Sequence, residues 1–380
     1  MVTTLRLRMT ESALNSVIQL RAVGTWAVVG GILLIAVTLW DAFETIILSR
    51  RVSRKLRLSR LFYWLTWSPW RALALRMRPG NPRENYLSVY GPLSLILLLV
   101  LWAVGLIFAF ALLDWGLGAR LSAPQGTTGF SADLYMSGTT FFTLGYGDVT
   151  PLSALGRVLA IVESGTGFGF LALVIGYLPT LSQAFSRREA NIALLDARAG
   201  SPPTAAELLR RHAEDPAALG QLLAEWERWS AELLESHVSF PVLAYYRSQH
   251  DNQSWVAGLT TILDTCSLVI TAMHGPVVGS ARLTFAMARH AIVDLARIFS
   301  PRPRPLETDR LAPPELARLC ETLTSAGIPM RKSEETDRRL VELRAMYEPY
   351  ATGLSRYLIM PLPGWVPPAG APADNWQRTA

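Results

Sequence analysis

Apolar positions fall into long unbroken blocks in the first half of the chain and into short periodic stripes in the second. After a polar stretch at 1–21, residues 22–48 form an apolar run long enough to cross a bilayer, with Trp40 near one interface. The run is too long for the apolar core of a signal peptide, and no small-residue cleavage site follows it. It therefore predicts a first transmembrane helix. A second span is predicted over 86–115, where Gly91-Pro92 opens a nearly continuous apolar run, and a third over 154–179. From Arg187-Arg188-Glu189 onward the pattern becomes polar and helical. Thr204, with Glu207 three residues later, is a capping box. Leu219, Leu222, Leu223, Trp226, Leu233 and Leu234 keep helical spacing and predict an amphipathic helix over 216–238. Further helices are expected over 278–299, 314–326 and 333–358, and a loose proline-rich tail over 361–380.

One stretch of the second half is ambiguous. Residues 255–273 are apolar enough to span, yet Asp264 sits at the centre among many Thr and Ser. A buried core helix is the expectation. Two acids, Asp41 and Glu44, lie three apart at the end of the first span. Both oppose the helix dipole there, so pairing with Arg50, Arg51 or Arg54 is expected.

Charge adds orientation. The net charge is +6, and ten basic residues fall within 49–85 with no acid among them before Glu84. Phe62, Tyr63, Trp64, Trp67 and Trp70 are interleaved with them. Such a block between two spans predicts an interfacial segment on anionic membrane lipid rather than a nucleic-acid surface. The positive-inside rule puts it in the cytoplasm, which leaves the N-terminus outside and the helical region 186–360 inside. The cysteines, Cys266 and Cys320, have no disulfide or metal spacing. His237, His250 and Asp251 are a candidate metal or pH site, against which stands the ordinary core or surface histidine.

Between the second and third spans lies Thr139-Thr140-Phe141-Phe142-Thr143-Leu144-Gly145-Tyr146-Gly147-Asp148. This stretch resembles the pore loop of the potassium channel family, whose filter reads T-V-G-Y-G-D; Leu144 replaces the valine. The resemblance covers roughly 86–185. It implies an all-α membrane protein with a tetrameric pore: outer helix 86–115, pore helix 131–142, filter 143–148 and inner helix 154–179. An extra N-terminal span and an α-helical cytoplasmic domain flank it. Carbonyls of Thr143, Leu144, Gly145, Tyr146 and Gly147 would replace the water around a permeant K+. Turning successive carbonyls to one axis needs unusual backbone angles, and glycine adopts positive φ at little cost. Ser131 is the expected N-cap of the pore helix.

The resemblance also implies supporting roles. Tyr135 is placed to brace the filter, Asp148 closes it, and Thr139 stands where some members have an acid coupled to the filter aspartate. Gly167 falls at the spacing of the gating hinge, with close helix packing as the alternative. Pro179 near the inner end is expected to bend that helix. Glu163, at membrane depth, either faces the cavity or bonds a neighbouring helix. The function expected is passive potassium conduction by a homotetramer in the cell membrane, gated at the inner helices. No cofactor is expected, and the ligand of the cytoplasmic region is left open. The alternatives are a non-selective cation channel and a non-conducting sensor or scaffold. No nucleophile–base pair, phosphate loop or metal spacing suggests an enzyme.

Overall fold

The computed structural model describes residues 2–48, 57–123, 129–249, 253–299, 309–328 and 333–368, with side chains from 22 onward. It is all-α apart from one two-residue strand pair, and it divides into two compact units. The first contains 1–65 and 93–180; the second contains 66–92 and 181–380.

In the first unit α1 (Val2–Ile46) reaches back through the stretch expected to be a polar tail, and its apolar part is Ala22–Ile46. At 1.5 Å per residue, those 25 residues extend roughly 37 Å, enough for the hydrocarbon core. α1 packs closely on α3 (Asn81–Gly116) through small residues. A Cβ on Gly24 would stand 2.8 Å from the Gly116 carbonyl oxygen, and one on Gly31 would stand 2.8 Å from that of Ala109. Such contacts let helix backbones approach where no hydrophobic force drives helices together in lipid.

Asp41 and Glu44 are structural. The Asp41 carboxylate accepts from the Ser59 N–H at 3.0 Å, the Ser59 hydroxyl at 3.1 Å and the Trp102 indole at 3.0 Å. Ser59 lies in the first turn of α2 (Leu58–Arg76), where backbone donors have no helical acceptor. Asp41 thus caps α2 from another helix. Arg57 lies 3.4 Å from Glu44. The expected partners Arg50, Arg51 and Arg54 lie outside the described residues.

α4 (Phe130–Phe141) begins one residue before Ser131. Gly129 takes the N-cap position at φ 79°, and no side chain caps the helix, so Ser131 is not the N-cap. α5 (Ala154–Ala199) runs well past the expected end at 179 and continues through Pro179. The strands β1 (Leu121–Ser122) and β2 (Thr150–Pro151) pair antiparallel and tie the segments before α4 and after the filter together.

The second unit is helical: α6 (Ala205–Arg211), α7 (Pro216–Ser239), a 3-10 turn (Pro241–Tyr245), α8 (Trp255–Ala272), α9 (Val277–Phe299), α10 (Pro313–Ser325), α11 (Glu334–Ala345) and α12 (Glu348–Leu358). The helix expected over 333–358 is therefore two, broken at Met346–Tyr347. Thr204 caps α6 as the sequence predicts, its hydroxyl accepting from the Glu207 N–H.

α8 is the centre of this unit. It is apolar enough to span, but 89% of its apolar window is buried, against 17% for α1 and 11% for α5. Asp264 explains the difference. Its carboxylate receives Arg310 at 2.5 Å and the Tyr347 hydroxyl at 2.5 Å. Arg310 also reaches Glu348 at 3.1 Å and the Pro363 carbonyl at 2.8 Å. Arg344 joins Glu348 and Asp309, and the Trp365 ring lies under both guanidinium groups. A helix gripped at its middle by this charged set belongs to a protein core. Trp365 is 1% exposed, so 361–368 is packed rather than loose, because its carbonyls accept from Arg310, Arg318 and Ala206.

Residues 66–92 contribute aromatics to the same unit. Trp67 is buried, packs at a tilt against the Tyr90 and Tyr245 rings, and donates to the Tyr357 carbonyl at 3.2 Å. Arg71 donates to the Arg356 carbonyl. The aromatic block expected on lipid therefore divides: Trp64 is exposed, while Trp67 faces protein.

Candidate ion-conduction site

The site is built on the C-terminal end of α4. The Thr139 carbonyl accepts from the Leu144 N–H at 2.8 Å and from the Gly145 N–H at 3.4 Å, so residues 144–145 fold back under the helix end. The Thr139 hydroxyl bonds the Met136 carbonyl and is not a filter contact. Thr143, Gly145 and Gly147 have φ of 55°, 59° and 78°. Alternate residues of 143–147 are thus left-handed. In a regular strand successive carbonyls point to opposite sides; inserting a left-handed residue at every second position turns them toward one side. Glycine supplies this at 145 and 147. Thr143 does so without glycine, and the sequence carried no sign of it.

At the outer end, the Tyr135 hydroxyl donates to Asp148 Oδ2 at 3.0 Å, which joins the pore helix to the filter exit. Tyr135 thus engages Asp148. Leu144 and Tyr146 are 54% and 69% exposed in the single chain.

The gating candidates Glu163, Gly167 and Pro179 all lie on α5. A Cβ on Gly167 would lie 1.9 Å from the Phe141 carbonyl oxygen, so α5 presses against the end of α4 there and close packing alone requires the glycine. Pro179 lies inside continuous helix. Glu163 is completely buried and bonds the Ser137 hydroxyl on α4. It therefore takes the neighbouring-helix alternative. Ser137 also bonds the Ile107 carbonyl of α3 at 2.7 Å. Sequence reading missed Ser137 and Phe141; a lone small polar residue facing an apolar helix was the available signal.

His237 is a core histidine. Its Nδ1 donates to the Leu233 carbonyl at 2.9 Å, leaving Nε2 to accept from Arg188 at 3.3 Å. Burial, and then the Arg188 charge, hold its pKa well below the usual imidazole value. His250 and Asp251 lie outside the described residues, and no acid–histidine–cysteine cluster among the described residues could hold a metal.

Three long apolar helices with outward-facing surfaces have the length and composition to cross a membrane, and the short helix between the second and third ends in a loop whose alternate residues are left-handed. Residues 95–183 match the family model described as an ion channel, the two-transmembrane-helix domain of the potassium channel pore family. Over 193 residues the chain is 27% identical to a Bacillus subtilis protein named "Uncharacterized membrane protein YdjJ". That stretch covers 50% of this chain and 56% of the relative, so the chain spans little more than half of that protein. No solved structure matches.

Proposed function

We propose that the chain is one subunit of a homotetrameric potassium-selective channel. The observation that carries this reading is the left-handed alternation at Thr143, Gly145 and Gly147 within T-L-G-Y-G-D. One chain supplies one loop, and a four-fold ring of carbonyls needs four. Conduction is passive and single-file through carbonyls of Thr143, Leu144, Gly145 and Tyr146. The N-terminus lies outside and the C-terminal unit in the cytoplasm, as the basic block requires. Gating acts at the inner helix, whose extension carries Arg188. The Arg188 guanidinium is buried and donates to the Leu243 and Tyr246 carbonyls at 2.8 and 2.9 Å, which supports the second unit as the gating element.

The test is flux from purified protein in liposomes, potassium against sodium, with Gly145→Asp beside wild type. Potassium flux exceeding sodium flux and abolished by the substitution is the expected result. Equal flux of both ions would favour a non-selective channel.

A further inference from the structure

Three helices of the pore meet at one hydroxyl. Ser137 Oγ on α4 is bonded both to the Ile107 carbonyl oxygen of α3 and to Glu163 Oε1 of α5. Ser137 and Glu163 are both fully buried. A serine hydroxyl carries one hydrogen, and a carbonyl oxygen carries none. At 2.7 Å the Ser137 hydrogen must point to Ile107, since two bare oxygens at that distance repel. The hydrogen between Ser137 and Glu163 then has to come from the carboxyl group.

We propose that Glu163 is a neutral carboxylic acid and a positioning residue, donating through Ser137 to Ile107 so that one relay of two hydrogens clamps the pore helix between the outer and inner helices. Two further observations agree. No ion pair among the described residues reaches Glu163, and its Oε2 is buried without a partner. An unpaired buried carboxylate is far costlier than an unpaired carbonyl oxygen of a neutral acid. The clamp holds the helix whose end forms the filter, so it sets filter position without touching the ion. The assignment of the pore helix rests on the channel reading; the protonation state does not.

The test is infrared difference spectroscopy of the full protein in liposomes, wild type minus Glu163→Gln, with potassium flux measured on the same samples. Glutamine keeps the shape and offers an N–H to Ser137. The expected spectrum has a protonated-carboxyl C=O band in wild type that Glu163→Gln removes. Ser137→Ala should move that band to higher wavenumber, because the acid loses its acceptor. Flux of Glu163→Gln should stay within about twofold of wild type, whereas Glu163→Ala should lose about tenfold, because it removes the tie between α5 and α4 and leaves a cavity in its place. A carboxylate signature at Glu163, or an unmoved band in Ser137→Ala, overturns the relay. Loss of flux in Glu163→Gln equal to that in Glu163→Ala overturns the positioning role. Absence of flux in wild type would sink the channel reading alone, since the spectra still decide the protonation state.

Discussion

In the first unit the buried polar groups, among them Asp41, Asp114, Ser137 and Glu163, are spread over several helices. Residues 143, 145 and 147 are left-handed, one hydroxyl at Ser137 is bonded to both α3 and α5, and the Asp41 carboxylate caps α2. In the other unit, charge is buried in quantity. Asp264, Arg310, Arg344, Tyr347 and Glu348 form one continuous set around α8, with the Trp365 ring beneath it. The contrast follows from what surrounds each. A membrane segment has no water to solvate an imperfect network, so its polar groups sit in backbone-satisfied helices. In the second unit the buried network specifies which helix packs where. α8 shows how narrow the distinction is: by length and composition it could span, and one aspartate with its partners makes it a core.

Breaking the larger network should show the contrast most strongly. Asp264→Ala leaves the Arg310 guanidinium and the Tyr347 hydroxyl in the core, and loss of one partner of a buried pair costs about 3–5 kcal/mol. The expected result is a lowered unfolding transition of the second unit in urea, with much of that loss recovered when Arg310→Met is added. Next in size is Gly167→Ala. Its methyl would meet the Phe141 carbonyl, and overpacking costs about 1–3 kcal/mol. Loss of assembled channel on native gels, with the urea transition of the second unit unchanged, would confine the damage to the pore.

A third test uses pH. The folded pKa of His237 is depressed by burial and by Arg188, so the unfolded chain binds a proton that the native state refuses. Stability is full above the unfolded imidazole value and falls as pH drops below it, by at most about 1.4 kcal/mol per pH unit. His237→Gln should flatten that part of the urea-midpoint profile relative to wild type. Smallest is Asp41→Asn, which keeps one acceptor for the first turn of α2 and should cost about 1 kcal/mol by thermal melting.

Legibility in the sequence followed the same line. The T-L-G-Y-G-D stretch is contiguous, so it could be proposed as a filter from sequence, and the candidate spans announced themselves as uninterrupted apolar runs. The capping box at Thr204 and Glu207 was readable because its two partners are three residues apart. The network around α8 was not, because Asp264 meets partners 46 and 83 residues away. The aromatics of 66–92 misled for a physical reason. Tryptophan and tyrosine beside arginine suit a lipid surface and a protein interface equally, and only packing tells that Trp67 lies against Tyr245 and Tyr357. The end of α5 was also hidden, since Pro179 removes one donor yet the helix continues for another twenty residues to Ala199.

The most direct measurement of the central claim is ion binding to the closed or open protein alike: titration calorimetry of the purified protein with potassium, in a sodium-free buffer and again in sodium. The account predicts saturable potassium binding that sodium does not compete away and that Gly145→Asp abolishes. Potassium binding that sodium displaces on equal terms, or that survives Gly145→Asp, would contradict a selective site in the Thr143–Gly147 loop.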